Sequence, residues 1–232
     1  MTATVFEVDS SLTTPDDFWR DPALREAADR EYRTHRTGPW TSLPASVAYC
    51  PLAQLMAPDQ LADIQSRALS TAEESGKQCH QILADLSCGH PKRGQIEYLF
   101  ELGNWSAFFI PERDKQYGTM LQMLRYPFSR GSVHIQHKEN GNRVTVDDMP
   151  VINPRYYLGS GEIDFVTMTA AQQFVDQVCA TKPLADIVRK RVFPPIPDEE
   201  ARDEVDEYDH FVRNYSTTNW HRKKSTTIVV LI

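Results

Sequence analysis

The sequence predicts an α+β fold, an antiparallel sheet flanked by helices. Three observations carry this. Apolar residues recur at helical spacing through most of the first 90 positions. After Gly118 the pattern changes to short apolar runs bracketed by turn residues. From Ile163 the helical spacing returns.

The elements follow in order. Thr4 to Val8 reads as a short extended stretch. Thr14-Pro15-Asp16-Asp17 opens a helix: Thr suits the N-cap, Pro the first helical position, and early acids the positive end of the dipole. Asp21-Pro22 repeats the device, and Leu24, Ala28 and Tyr32 share one face of the helix it starts. Gly38 lies past its end, and Gly38 to Pro44 reads as loop, with Thr37-Gly38-Pro39 expected to be ordered near the mouth of a pocket. Leu61, Ile64, Ala68 and Ala72 mark a helix ended by Gly76, and Ile82, Leu83 and Leu86 a shorter one before Gly89.

Met120 to Phe128 and Gly131 to Gln136 read as strands, both expected to be central. Asn140-Gly141 is a hairpin turn signal, with Arg143 to Val146 as the returning strand. Ile163 to Ala180 is helical, and Pro183 ends it. Asp198 to Tyr215 is a last helix, buried through Val205, Tyr208, Val212 and Tyr215. The expected division is a mainly helical part at 1–118, sheet and helices at 119–221, and a divergent tail at 222–232.

At 232 residues the chain is one domain, or one and a half. Its net charge of -7 lowers the expectation of a nucleic-acid partner. Four Cys make no disulfide scaffold in a chain this long. The first residues show neither the basic region nor the apolar core of a signal peptide, and the longest apolar run, Ile228 to Ile232, is too short to span a bilayer. A cytoplasmic location and no membrane partner are expected. The sequons at Asn104 and Asn214 are read as chance.

The only G-x-G, Gly159-Ser160-Gly161, lacks a third glycine, and no P-loop or nucleophile elbow is present. Cys79, His80, Cys88 and His90 have ligand chemistry but no zinc spacing. His134 and His137, three apart on a strand, point to opposite faces and share no metal there. The acids from Asp198 to Asp209 read as a solvated helix face. His221 is the sharpest candidate: it follows Trp220 in a polar loop just past a helix, where an imidazole can take a proton from a substrate hydroxyl.

Five segments carry a resemblance. They are Tyr32 to Thr41; Ser129-Arg130-Gly131-Ser132-Val133-His134-Ile135; Pro150 to Leu158; Asp164 at the head of its helix; and Tyr208 to Arg213 leading to Thr217-Thr218-Asn219-Trp220-His221. In this order they resemble the C-terminal, substrate-binding region of the glucose-methanol-choline oxidoreductases. The resemblance implies a flavoprotein that oxidises alcohols by hydride transfer to FAD, with His221 as base and Trp220 and His221 beside the flavin. It also implies a small alcohol as substrate.

The family's glycine-fingerprinted FAD-binding half has no counterpart here, and nothing after His221 resembles the family's closing segment. The chain is therefore expected to be a substrate-domain fragment, inactive alone, whose FAD-binding half is a possible separate partner. A non-catalytic remnant that binds a small molecule or a partner, and the product of an incomplete gene model, are the alternatives. Thr226 to Ile232 is β-prone and uncharged, so its deletion is expected to improve solubility.

Overall fold

The computed structural model describes residues 1–41, 45–71, 76–88, 92–135, 144–195 and 207–218. They fall into two units, each assembled from separate stretches of chain. The first comprises Met1–Cys50, Ile96–Met123 and Met168–Thr217; the second comprises Pro51–Gln95, Leu124–Thr167 and Thr218–Ile232.

The first unit is built on a five-stranded sheet. Its strands are β1 (Thr2–Val8), β2 (Ala45–Cys50), β3 (Ile96–Leu102), β4 (Tyr117–Leu124) and β7 (Val188–Phe193), in the order β2-β3-β4-β1-β7. β1 runs antiparallel to both β4 and β7, as β2 does to β3. The remaining strands, β5 (Ser132–His134) and β6 (Val151–Asn153), form a separate antiparallel pair in the second unit.

β1 is buried on both faces, and the two faces differ in chemistry. On one face Thr2 and Thr4 meet Gln122 of β4 and Gln172 of the long helix α5 (Glu162–Cys179), all fully buried and hydrogen-bonded to one another. Tyr98 of β3 donates its hydroxyl to the Ala171 carbonyl of the same helix, at 2.9 Å. On the other face Val5, Tyr117 and Phe193 pack on Phe211 of α7 (Glu207–Tyr215). The sheet of this unit thus lies between Met168–Cys179 of α5 and the short helix α7.

Two further helices flank the unit. In α1 (Pro15–Arg20) the Thr14 N–H is capped by the Asp17 carboxylate at 2.7 Å, and Phe18 is buried. In α2 (Pro22–His35) Asp21 accepts from the N–H groups of Ala23 and Leu24, as its N-cap position predicts. Of the expected α2 face only Ala28 is buried, while Leu24 and Tyr32 stay partly exposed. Thr37 to Pro39 is ordered through local bonds: Thr37 to Glu31, and Thr41 back to the Gly38 carbonyl.

In the second unit α3 (Pro58–Ser70) buries Ile64 and Ala68, and α4 (Lys77–Ser87) buries Leu83 and Ala84. A turn of helix, α6 (Leu184–Ile187), precedes β7 in the first unit.

Several expectations change. The stretch 1–118, read as mainly helical, carries α1 to α4 but also β1, β2 and β3. Met120 to Phe128 lies largely in the central strand β4, whereas Gly131 to Gln136 supplies β5, outside the main sheet. The partner of β5 is Val151–Asn153, and Val144 to Val146 forms no strand. The cause is pairing: Ser132↔Asn153 and His134↔Val151 satisfy the ladder that the nearer segment was expected to fill. Asn140-Gly141, Asp198 to Asp206 and the tail 222–232 lie outside the described residues. Among the described residues no helix is long and apolar enough to cross a membrane.

Candidate functional site

Three of the segments singled out in the sequence meet in the second unit, around one buried carboxylate. Asp164, in the first turn of α5, is 3% exposed. One of its oxygens accepts the Phe128 N–H at 2.7 Å; the other accepts the Ser129 N–H at 2.7 Å and the Ser129 hydroxyl at 2.5 Å. Its surroundings, walled by Leu52, Ile64, Ser87, Gln95 and Ile163, leave no room for a water molecule. Desolvation therefore raises its pKa to about 6, against the lowering effect of the three donors and of nearby Arg130.

The neighbouring glycines explain the fit. A Cβ on Gly161 would overlap the Ser129 side chain, and one on Gly131 would stand 2.6 Å from the Asn153 carbonyl oxygen and 2.8 Å from that of Pro154. Just beyond, Arg155 and Tyr157 both hold positive φ, 48° and 58°, a conformation costing roughly 1–2 kcal/mol for residues with a Cβ. The Tyr157 ring is edge-on to Phe165 at 5.6 Å. Arg130 closes the turn by donating to the carbonyls of Pro127 and Ser129. Every donor to Asp164 is the protein's own, so this centre positions backbone and does not face a substrate.

In the first unit a second buried polar cluster is built around Arg191. Its guanidinium donates to Asp176 of α5 and to Glu207 of α7, each at 2.6 Å, and its side chain is 4% exposed. Tyr208 donates its hydroxyl to the same Asp176 oxygen at 2.8 Å, and Thr169 donates to Asp209 at 2.8 Å. Burial raises the Asp176 carboxyl above its usual range, with Arg191 working the other way. Past α7, Thr217 and Met1 exchange backbone hydrogen bonds of 2.9 and 3.0 Å. The basic run Arg189-Lys190-Arg191 was the sequence signal for this cluster, though nothing in it separates the buried Arg191 from its exposed neighbours.

The other candidates separate. Trp220 and His221, the expected cofactor-contacting pair with His221 as base, lie outside the described residues, as do His90 and His137. No group of three potential metal ligands occurs among the described residues. His80 instead bonds the Ala68 carbonyl through Nδ1 at 2.9 Å and stands edge-on to Phe128. Cys79 lies 3.4 Å from an Arg130 nitrogen, and His134 is exposed. Both sequon amides serve internal carbonyls, Asn104 to Phe109 and Asn214 to His210.

An FAD pyrophosphate needs a cradle of free N–H groups. At Gly159-Ser160-Gly161, ahead of α5, the space beside Gly161 is filled by Ser129, and the first turn already holds the Asp164 carboxylate. A groove of about 380 Å³ on the first unit is walled by Phe174, Val178, Pro183 and Leu184, with only Lys182 as a cation. It is too apolar for a diphosphate.

No protein-family profile matches the chain. Dehydrogenase mpl7 of Monascus purpureus and dehydrogenase citC of Monascus ruber are each 24% identical to it over 246 residues, covering 95% of this chain and 37% of their own length. The R554K variant of formate oxidase from Aspergillus oryzae superposes with a TM-score of 0.62 at 16% identity, over 95% of this chain and 35% of that one. A fungal aryl-alcohol oxidase gives 0.54 at 16% identity, over 93% and 35%. The chain thus spans little more than a third of the relatives it matches. These oxidases are glucose-methanol-choline oxidoreductases, and the resemblance read from the sequence is borne out in the fold.

Proposed function

We propose that the chain is the substrate-side portion of an FAD-dependent oxidoreductase acting on CH–OH donors. The observation that carries this is the meeting of three separate sequence segments at Asp164, in a fold shared with formate oxidase and aryl-alcohol oxidase. Both curated relatives are dehydrogenases, in keeping with the same reaction class.

The chain spans 37% of the length of its curated relatives, and FAD would be held chiefly by the portion that it does not span, whether joined to it or supplied as a partner. The chain's own contribution is the wall facing the substrate and a base, His221, which takes the proton of a small alcohol's hydroxyl. The chain alone is proposed to be inactive, and its location cytoplasmic.

The test is a visible spectrum and an acceptor-reduction assay. Protein expressed from the complete transcript should carry bound flavin and reduce a dye in the presence of primary alcohols, and His221→Ala should lower kcat by about 100-fold or more. The isolated 232-residue chain should leave added FAD free. A complete product that binds no flavin overturns the proposal.

A further inference from the structure

We infer that the outer edge of β6 is a pairing surface for a second copy of this chain, the two β6 strands lying antiparallel about a two-fold axis at Ile152. The inference is independent of the catalytic reading above.

β5 and β6 form a sheet of two strands, each of three residues. Among the described residues the far edge of β6 meets no strand, and all three of its residues are exposed. A two-stranded ribbon has little stability of its own in water; three or more strands are needed. Yet the base of this ribbon is fixed. Ser129, three residues ahead of β5, is held by Asp164, and Gly131 lies close against the Asn153 and Pro154 carbonyls. The fold thus sets an edge in place and leaves it open, the arrangement that takes up another strand.

The surface around this edge suits a copy of itself. Ile135, Met149, Val151, Ile152, Tyr156 and Leu158, on and beside the ribbon, are each between 45% and 74% exposed. Monomers seldom leave so much apolar surface open. Two such patches brought together come to about 1,200 Å², where specific interfaces begin. The chain carries a net charge of -7, so two copies repel except where charge is absent. Neither β5 nor β6 holds an acid, a Lys or an Arg.

Charge at the flanks fixes the direction. Asp147 and Asp148 precede β6 and Arg155 follows it; Asp147 and Arg155 are exposed. With the strands antiparallel and centred on Ile152, Arg155 stands opposite Met149 of the second copy, beside that copy's Asp147 and Asp148. The two-fold axis repeats the contact. Parallel strands would set acid against acid. The pairing is isologous, so it closes at two copies. Pro150 and Pro154 donate no N–H and confine the ladder to Val151–Asn153, so apolar side chains supply most of the contact.

Sedimentation velocity of the 232-residue chain over a concentration series tests this. A monomer–dimer equilibrium with a dissociation constant of micromolar order is expected. Ile152→Glu sets like charges face to face on the axis and should raise that constant about 100-fold or more. Ile152 is exposed, so the thermal melt of this variant at low concentration should match the parent. Arg155→Asp, which suits the positive φ of that position, should weaken the dimer about tenfold, and adding Asp147→Arg should restore it. Should Ile152→Glu fail to fold, this charge exchange carries the comparison. A parent that stays monomeric through the series overturns the inference. So does a dimer that survives Ile152→Glu, one that Val47→Glu on the edge strand β2 abolishes instead, or species that keep growing past two copies.

Discussion

Ser129 donates both its backbone N–H and its hydroxyl to a single oxygen of Asp164, at 2.7 and 2.5 Å. Three donors in all do not replace the hydration that burial removes, and the carboxyl rises from 3.8 to about 6. A carboxyl raised in the folded state binds its proton more tightly there than in the unfolded chain. Its contribution to stability is therefore full below about pH 4 and is lost as pH climbs through about 6.

On acidification from pH 7 to pH 4.5, Asp164 should add about 2 kcal/mol to stability, an order-of-magnitude figure. Asp176 and Glu101, also raised by burial, act in the same sense. Asp9, held near 2 by Ser11 and Arg189, acts only at lower pH and with the opposite sign. Urea denaturation at a series of pH values checks this. Asp164→Asn should flatten the slope between pH 4.5 and 7, and an unchanged slope would count against Asp164 as its source.

Glycine replacements should rank by what stands beside them. Gly131→Ala drives a methyl into two backbone carbonyls that cannot turn away, and should cost about 3 kcal/mol, the upper end for overpacking. Gly161→Ala meets the Ser129 side chain, which can rotate at the expense of its bond to Asp164, and should cost about 2 kcal/mol. Gly159→Ala has open space around it and meets only the penalty of φ +60°, about 1 kcal/mol. Thermal melts of the three variants give the order.

Phe211→Ala should destabilise the first unit by about 3–5 kcal/mol. Its ring is 1% exposed and packs against Phe193, Tyr215 and Val5, so its removal leaves a cavity in the core of this unit. Guanidinium titration followed by tyrosine and tryptophan fluorescence measures the loss.

The thiols should label in a fixed sequence. Cys79 is exposed and should react with iodoacetamide first. Cys88 is half-buried, with its pKa raised by desolvation, and should follow slowly. Cys50 and Cys179 are buried, their thiols pushed up to about 11 and about 12, and should label only on unfolding. Peptide mass mapping over a time course distinguishes the four.

The sequence carried the helices more legibly than the strands. Caps such as Thr14 and Asp21 act through local bonds, so the residues that mark a start also make it. β3 does hold the strand signature, with Ile96, Tyr98 and Phe100 alternately buried, yet it sits among helices and so passed as part of a helical stretch. β7, Val-Arg-Lys-Arg-Val-Phe, shows no apolar alternation because its inward Arg191 is satisfied by carboxylates far along the chain. β2 exposes Val47 and Tyr49 together on an edge, leaving no inside-outside contrast to read. For the site, Ser129, Gly131, Pro154 and Asp164 were visible as motif members. That they converge on one carboxylate could not be seen, since convergence is a matter of tertiary distance.

The placement of β1 has a consequence for how the chain is made. Thr2–Val8 occupies the sheet interior, yet its two neighbours are Tyr117–Leu124 and Val188–Phe193. During synthesis this strand is translated well before either partner. At about 5–20 residues per second, the wait for β7 is on the order of ten seconds or more. Throughout that interval the nascent chain presents an unpaired sticky strand, so the yield of native protein should depend on chaperone capacity during translation more than on the final stability of the sheet.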